Sequence, residues 1–376
     1  MEKYTYEVQS SLERQKDTID HIDHQILNLV TWRQETAREI VRLKKLLHEP
    51  ALDIAREREI IYKLLKTNPP NLSRHAVVHI WREIISAART IQETQNEDPA
   101  VELFAFFGNP IIQSPSAMMF NMAFTLTGYP GMFIPVAVED IGQAISAVRT
   151  LHMKGASITM PHKIDAVQYL DELDPMAEKI GAVNVVLNNN GRLKGYNTDG
   201  LGAFQALSEK INIKKGIKAA ILGAGGTARG IAYMLLSAGA DVKVYYRTAS
   251  LAGKLGLKEA LGIDVFPLAH FGRKEHQEFD ILINTTPVGM FPHLRQTPVR
   301  PETLKPDMVV MDAVYIPLKT RLLEVAEQKG CQIVDGTSML VNQGAAQFEL
   351  WTGIRPPIGD LSDAVREFLA GAPAEY

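Results

Sequence analysis

The sequence predicts a multidomain protein in which an all-α domain precedes an α/β region, and the distribution of glycine is the first indication. None of the 27 glycines occurs before Gly108, and up to that point apolar residues recur at helical spacing among charged ones. Beyond Gly108, short apolar runs alternate with glycine turns and amphipathic stretches, which is typical of alternating strands and helices. We therefore predict a helical domain over 1–92, a polar linker over 93–99 and an α/β region from residue 100.

Composition narrows the class of partner. The net charge of -3 gives no support to a nucleic-acid partner. No apolar run approaches the roughly 18 residues of a membrane span, and the first residues carry no apolar signal segment. The single cysteine, Cys331, excludes an intramolecular disulfide and fits a reducing compartment. We therefore expect a soluble cytoplasmic protein that acts on small molecules and binds neither nucleic acid nor membrane.

The first predicted helix is unusually long. Residues 7–47 contain neither glycine nor proline, which allows a helix of roughly 60 Å. A single domain rarely needs one of that length, so we expect helices of two chains to pack together as a homodimer. A second helix is predicted after Asp53 as N-cap, and a third after Ser73.

Two cations, Arg33 and Lys44, lie three turns apart on the apolar stripe of the first helix. The other members of the stripe are Ile19, Ile22, Ile26, Leu29, Ala37 and Ile40. Because a buried cation without a partner is costly, this spacing predicts an anionic ligand. The alternative is that each cation reaches solvent at the rim of the bundle. The second helix adds three charged residues on one face, at Asp53, Arg56 and Glu57.

These residues, with Ile84-Ile85-Ser86 and Gln92, resemble the all-helical chorismate mutases along the whole domain. The resemblance implies a dimer of intertwined helices that rearranges chorismate to prephenate by positioning and by stabilising charge on the ether oxygen. It implies that Arg33 and Arg56 bind carboxylates and that Lys44 and Gln92 flank the ether oxygen. Asp53 and Glu57 would orient the substrate.

Two positions depart from that family. Lys16 stands in place of an arginine and Ala88 in place of a serine. Lys16 lies roughly 42 Å from Lys44 along one straight helix, so both can contact one substrate only if Lys16 comes from a second subunit. A lysine lacks the planar fork with which arginine binds a carboxylate. The domain is therefore either an active mutase or a weakly catalytic module for dimerisation or for sensing chorismate or prephenate.

In the α/β region, Gly155 to Lys163 predicts a short strand that Pro161 terminates. Lys163 then lies at the carboxyl end of a strand, where open α/β sheets bind ligands. A strand pair turned at 188–191 follows, and its second strand leads to Asp199. An aspartate before glycine is also typical of a turn. A lysine at such a strand end serves as a proton donor, as a phosphate ligand or as an ordinary solvated charge. We predict a Lys163–Asp199 pair in which Lys163 is a proton donor.

Earlier in the α/β region, two serines precede a predicted helix that begins at about Ala117. Hydroxyls at Ser114 and Ser116, near a helix start, suit a carboxylate ligand. Helix capping is the alternative and accounts for one of them. Another helix is predicted to carry Asp171, Glu172 and Asp174.

Residues 219–246 form a strand, a glycine turn, a helix and a second strand, the order that a dinucleotide-binding motif requires. An NAD site expects an acidic residue after the second strand. Here Arg247 and Thr248 follow, and a cation with a hydroxyl suits the 2′-phosphate of NADP. We predict NADP as cofactor and expect no metal. Two further buried parallel strands are predicted over 280–287 and 308–315, and residues 335–344 lead into a helix.

Five motifs of the α/β region, in this order along the chain, resemble those of the shikimate dehydrogenases over nearly all of residues 100–376. They are the paired serines, the Thr159 to Lys163 segment, Asn197-Thr198-Asp199-Gly200, the glycine loop and the Gln343 segment. The resemblance implies a substrate domain over 100–200, completed by about 335–376, and a Rossmann NADP domain over 201–334. It implies NADP-linked reduction of 3-dehydroshikimate to shikimate. Quinate, with one more ring hydroxyl, stays an alternative substrate.

The same resemblance assigns the binding residues. Ser114 and Ser116 would hold the substrate carboxylate. Ring hydroxyls would be bound or positioned by Thr159, Asn184, Asp199, Tyr315 and Gln343. The implied cofactor contacts are Gly223, Ala224, Gly225, Gly226, Thr227, Arg247, Thr248, Thr285, Ala313 and Gly336. Four positions depart from the family. Ser157 stands in place of an asparagine, Ala117 and Phe120 in place of the proline and histidine that follow the second serine, and Tyr246 in place of the asparagine before Arg247.

The whole chain is thus predicted to be a bifunctional enzyme of aromatic amino-acid biosynthesis. The alternative is a dehydrogenase with a regulatory helical domain.

Overall fold

The computed structural model describes residues 2–47, 53–67, 71–92, 101–111, 114–247, 257–273 and 278–370, and its contacts divide the chain into two compact units. One unit comprises 1–72 and 76–100, and the other comprises 73–75 and 101–376. Within the described residues, no helix is long and apolar enough to span a membrane. The predicted linker over 93–99 lies outside them, and the predicted domain limits remain predictions.

The predicted three-helix domain is confirmed. Helix α1 runs over Glu2–Leu46, α2 over Ile54–Lys66 and α3 over Arg74–Gln92. The Asp53 side chain accepts a hydrogen bond from Arg56 N at 2.9 Å, so Asp53 caps α2 as predicted. The buried apolar residues of this unit are Val41, Ile61, Leu65, Val77, Val78, Ile85 and Ala88.

Helix α1 leaves most of its apolar stripe exposed. Exposed fractions are 57% for Ile19, 46% for Ile22, 52% for Ile26 and 61% for Leu29, and Trp32 is 68% exposed. Val41 is the first residue of α1 that is buried among those described. Among the described side chains of α1, the contribution to the core of one chain therefore comes from its carboxyl-terminal part.

The first sheet of the α/β region has six strands in the order β2-β1-β3-β5-β6-β4. The strands are β1 Glu102–Gly108, β2 Gly131–Ala137, β3 Gly155–Ile158, β4 Glu172–Leu173, β5 Val185–Asn189 and β6 Arg192–Tyr196. Strand β5 pairs antiparallel with both β3 and β6, so β3 and β6 run in the same direction. Their carboxyl ends, which lead to Lys163 and Asp199, share one edge of the sheet. The associated helices are α4 Ser116–Thr127, α5 Ile141–Thr150 and α6 Pro175–Ile180.

The prediction of a helix that carries Asp171, Glu172 and Asp174 is wrong. Glu172 lies in β4, and Asp174 caps α6 by accepting hydrogen bonds from Met176 N and Ala177 N. A 3-10 helix over Asp165–Tyr169 precedes them. Pro175 has the fixed φ of a first helical residue, and it starts the helix after Asp174 rather than before it.

The second sheet has six strands in the order β12-β11-β10-β7-β8-β9, and every pairing in it is parallel. The strands are β7 Lys218–Leu222, β8 Asp241–Tyr246, β9 Val265–Pro267, β10 Ile281–Asn284, β11 Val309–Asp312 and β12 Gln332–Val334. This is the doubly wound order of dinucleotide-binding domains, in which ligands bind beside the carboxyl ends of the two central strands. Those strands are β7 and β10. The predicted Rossmann fold is therefore confirmed.

Five helices whose bounds lie within the described residues accompany this sheet or link it to the first. They are α7 Asp199–Ser208, α8 Gly226–Ser237, α9 Arg321–Gln328, α10 Gly336–Thr352 and α11 Ile358–Ala370. Helix α10 approaches α7 so closely that a Cβ on Gly202 would lie 2.7 Å from Gln343 N. Trp351 at the other end of α10 donates to Val186 O of the first sheet at 3.0 Å. These contacts fix Gln343 over the carboxyl edge of that sheet.

Candidate active site

A cavity of about 1030 Å³ is lined by residues that follow strands of both sheets. The first sheet supplies Thr159 and Lys163 after β3, and Asp199 after β6. The second supplies the start of α8 and the segments after β10 and β11. Large clefts with a few convergent polar groups are the usual form of small-molecule sites.

Lys163, Asp199 and Thr227 form a connected polar cluster in this cavity. Lys163 Nζ donates to Asp199 Oδ2, and it lies 3.2 Å from Thr227 Oγ1. Thr227 Oγ1 donates to the same Asp199 oxygen at 3.0 Å. The side chains of Lys163 and Asp199 are only 16% and 4% exposed. The structure thus brings together the predicted pair, and it adds a hydroxyl from the dinucleotide-binding helix.

Asn184 connects this cluster to Gln343. Its Nδ2 lies 2.8 Å from Asp199 Oδ1 and 3.1 Å from Gln343 Oε1, and its Oδ1 accepts from Thr198 N at 2.8 Å. Gln343 Oε1 in turn accepts from Gln347. A carboxylate, two amides and an ammonium therefore converge where hydroxyls of a polar ring can be bound.

The two serines lie at another wall of the cavity. Ser114 Oγ and Ser116 Oγ are 2.9 Å apart, and Tyr315 OH lies 3.4 Å from Ser114 Oγ. Burial raises the pKa of Tyr315, so the phenol keeps its proton and can donate it in a hydrogen bond. The N-cap of α4 is Pro115, which has no side-chain cap, and Ser114 Oγ accepts a hydrogen bond from Ser116 N at the start of the helix at 3.3 Å. Three hydroxyls at one wall suit a carboxylate.

The glycine loop closely approaches the cluster of Lys163, Asp199 and Thr227. A Cβ on Gly226 would lie 3.0 Å from Lys163 Cβ, and one on Gly223 would lie 2.4 Å from Thr285 Oγ1. Gly223 also has a φ of +110°, which favours glycine. Gly225 caps α8 without a side-chain hydrogen bond, and a Cβ there would meet open space. The first N–H groups of α8 are therefore available to a pyrophosphate, and the loop fits a dinucleotide.

The other predicted cofactor residues take several positions. Gly225, Gly226, Thr227, Thr285, Ala313 and Gly336 line the cavity, whereas Gly223, Ala224 and Arg247 are not among its lining residues. Arg247 is exposed directly after β8. A Cβ on Gly336 would lie 2.6 Å from Val314 O, so only glycine fits there. Thr248 lies outside the described residues.

The helical unit gathers part of its predicted site. Lys44 Nζ lies 3.5 Å from Asp53 Oδ2, and Arg33 Nη1 lies 3.4 Å from Ile84 O. Burial lowers the pKa of Arg33, and the nearby charge of Glu57 opposes that shift. Arg56, by contrast, pairs with Glu59 on the same helix.

Lys16 is not brought into the helical site within one chain. Lys16 is exposed and pairs with Glu13 at 3.0 Å. The side chain of Gln92 lies outside the described residues.

Two site residues were missed from the sequence. Ser157 and Gln347 both line the cavity, and Ser157 Oγ donates to Gln347 Oε1. Gln347 follows Gln343 by one helical turn, and that i, i+4 spacing could have identified it. Among the described residues, no group of three or more His, Cys, Asp or Glu side chains could hold a metal ion.

Comparison with known proteins gives the family of the α/β region. Residues 106–186 match the shikimate dehydrogenase substrate binding domain, and residues 336–366 match the shikimate 5'-dehydrogenase C-terminal domain. The NADP(+) shikimate dehydrogenase of Geobacillus kaustophilus is 41% identical over 276 residues, which cover 71% of this chain and 99% of that protein. The chain belongs to the shikimate dehydrogenase family.

Solved structures of this family match the α/β region. A shikimate dehydrogenase in complex with NADP+ has a TM-score of 0.66 and 34% identity, over 72% of this chain and 96% of that one. The Thermus thermophilus enzyme in complex with NADP(H) and shikimate has a TM-score of 0.64 and 35% identity, over 71% and 100%. Residues 15–93 separately match the type II chorismate mutases. This member of the shikimate dehydrogenase family is therefore a fusion with a chorismate mutase domain.

Proposed function

We propose that this chain is a bifunctional enzyme of aromatic amino-acid biosynthesis. Its α/β region reduces 3-dehydroshikimate to shikimate with NADPH, and its helical domain rearranges chorismate to prephenate. The observation that supports the reductase most directly is the contact of Lys163 with both Asp199 and Thr227. In this contact Lys163, the proposed proton donor, lies beside the helix whose amino terminus suits the cofactor.

The proposed reduction uses polar groups that line the cavity. NADPH, held by the glycine loop, supplies the hydride. Ser114, Ser116 and Tyr315 bind the substrate carboxylate, while Asn184 and Gln343 bind ring hydroxyls. Lys163 Nζ donates its proton to the oxygen of the carbonyl as that oxygen gains negative charge. The hydrogen bond to Asp199 orients the Lys163 ammonium within the cavity.

The preference for NADP is assigned to Arg247. Replacing Arg247 by alanine is expected to raise the KM for NADPH by about 10- to 100-fold, because a charge-assisted hydrogen bond to the 2′-phosphate is lost. The KM for NADH should stay within about twofold of the wild-type value. Lys218→Ala, which removes an exposed cation at the amino end of β7, is the control and should leave both values unchanged. Equal effects of Arg247→Ala on both cofactors would contradict the assignment.

Catalysis by the helical domain requires two chains in this proposal. The exposed apolar stripe of α1 supports a homodimer, since a second helix would cover it. Lys16 of one subunit would then join Arg33 and Lys44 of the other.

The single cysteine, which is free and buried, supports placing this enzyme in the cytoplasm.

An active mutase is distinguished from a sensing module by the loss of chorismate. In the purified protein we expect chorismate to be converted to prephenate. Arg33→Ala should lower kcat/KM about 100-fold or more, because it removes a half-buried guanidinium that binds a carboxylate of the substrate. Arg42→Ala is the control on the same helix, since Arg42 is exposed and its ion pair among the described residues is with Glu39. Both variants should keep wild-type dehydrogenase activity. Binding of chorismate without its conversion would favour the sensing module.

Substrate choice in the dehydrogenase is tested by comparing the oxidation of shikimate and quinate with NADP+ and with NAD+. We expect the highest kcat/KM for shikimate with NADP+. A higher value for quinate would replace the proposed substrate and leave the reaction type unchanged.

A further inference from the structure

A buried polar cluster lies at the carboxyl ends of β10 and β11, beneath the cavity. Its members are Asn284, Asp312 and Thr320, and none of them is accessible to solvent. Asn284 and Asp312 are directly paired across the two strands. None of the three lines the cavity. We refer to these residues as the Asp312 cluster.

The Asp312 carboxylate accepts hydrogen bonds from three different segments. Oδ1 accepts from Asn284 Nδ2 at 2.9 Å and from Val314 N at 3.0 Å, and Oδ2 accepts from Thr320 Oγ1 at 2.6 Å. The groups that contact it from β10, from the loop after β11 and from the start of α9 are thus all uncharged.

Two cations flank Thr320 in the sequence but face solvent. Lys319 pairs with Glu327 and Arg321 pairs with Glu324, and both cations are close to half exposed. The buried carboxylate is therefore stabilised by dipoles and not by an ion pair.

Asn284 uses its remaining hydrogen-bonding groups to shape the loop after β10. Its Oδ1 accepts from Thr286 N at 3.0 Å and from Thr286 Oγ1 at 2.7 Å, and its Nδ2 also donates to Val288 O at 3.0 Å. Thr285, Thr286 and Pro287 of this loop line the cavity beside the glycine loop. Asp312 therefore acts on the cofactor side of the cavity through Asn284.

Val314 and Thr320 connect the same carboxylate to the loop after β11. Thr320 is the N-cap of α9, and Val314 immediately precedes Tyr315, whose hydroxyl lies near Ser114. Both ends of the 313–320 loop are thus tied to Asp312. One buried side chain holds the loop on the cofactor side and the loop that carries a ligand of the substrate carboxylate.

We infer that Asp312 is a positioning residue of the dehydrogenase, whose carboxylate sets the 285–288 loop and the Tyr315 loop in one fixed arrangement. The inference rests on the proposed dehydrogenase activity. Asp312 contacts neither reactant and acts through Asn284 and Val314. Loss of its acceptor atoms releases both loops, and the affinities for cofactor and substrate fall together.

The charge on Asp312 gives this role a pH dependence. Burial raises the pKa of Asp312 to about 6, and the hydrogen bonds from Thr320, Val314 and Asn284 oppose that shift. Above this pH the group is a carboxylate that accepts from all three donors. Below it the group is protonated, so one oxygen becomes a donor, and the KM for shikimate and the Kd for NADP+ rise.

The test uses the full-length protein and the variants Asp312→Asn, Thr320→Val and Thr320→Ser between pH 5 and 8. The measured quantities are kcat, the KM for shikimate, and the Kd for NADP+ from calorimetry, which reports on the loops without turnover. Asp312→Asn is expected to raise the KM and the Kd about tenfold at pH 7.5 and to abolish the rise near pH 6. Thr320→Val should shift that rise to higher pH, because it removes a hydrogen bond to the carboxylate. Thr320→Ser should restore the wild-type profile.

Thr127→Val is the control for loss of a buried threonine hydroxyl elsewhere, since the hydroxyl of Thr127 donates within α4 to Ala123 O and Phe124 O. The inference is overturned if Asp312→Asn keeps the wild-type KM and Kd, or if Thr320→Val and Thr320→Ser have the same pH profile. If Asp312→Asn does not fold, the comparison of the two Thr320 variants decides alone. Wild-type protein that binds NADP+ but does not oxidise shikimate would refute the proposed function, while the Kd profiles would still judge the role of Asp312.

Discussion

Replacing Lys163 by alanine is expected to lower kcat for the reduction of 3-dehydroshikimate by about 10²- to 10⁴-fold, the range typical of a lost general acid. The substitution removes the ammonium that contacts Asp199 and Thr227. Among the described residues, no other lysine or arginine lines the cavity. The measurement is the NADPH-dependent rate at saturating substrate. The Kd for NADP+ should change little, because alanine leaves the glycine loop in place.

Two further observations separate a lost proton donor from a damaged site. Small primary amines added to Lys163→Ala should restore part of the rate in proportion to their concentration, because they can occupy the vacated volume and donate a proton. Thr227→Val should have a smaller effect, since it removes only one contact of Lys163. Near wild-type turnover in Lys163→Ala, together with its loss in Asp199→Ala, would move the proton-donor role to Asp199.

The approach of Lys163 to Asp199 could be predicted because it depends on strand direction alone. Each residue follows a strand that ends at the same edge of one sheet, and the intervening strand pairs antiparallel with both. The glycine loop was predictable for a similar reason, since strand, turn and helix are contiguous in the sequence.

The contacts of Thr227 and Asp312 could not be predicted in this way. Thr227 reaches Asp199 only because α8 of the second sheet meets the edge of the first, and no local pattern encodes that approach. Asp312 and Thr320 are separated by a loop whose path is not periodic, and the burial of Asp312 depends on all the segments around it. The incorrect prediction of a helix at residues 171–174 has a related cause. Charged residues such as these occur on the surface of a helix, but equally at a helix cap and in a short exposed strand.

The exposed stripe on α1 leads to the second large effect, a recovery of mutase activity on mixing two inactive variants. Lys16→Ala and Lys44→Ala should each lose most mutase activity if both lysines bind the substrate. In one chain Lys16 pairs with Glu13, whereas Lys44 lies beside Asp53. The length of α1 keeps these two lysines apart, so a complete site needs Lys16 from one subunit and Lys44 from the other.

Mixed dimers of the two variants therefore have one site with both lysines and one with neither. Random exchange of subunits makes half of the dimers mixed, so the mixture should recover about one quarter of the wild-type rate. The measurement is chorismate consumption after the two variants are unfolded and refolded together, with each variant refolded alone as the control. Dehydrogenase activity in the same samples reports whether the chains have refolded. Full dehydrogenase activity without recovery of mutase activity would show that Lys16 and Lys44 do not act across a subunit interface.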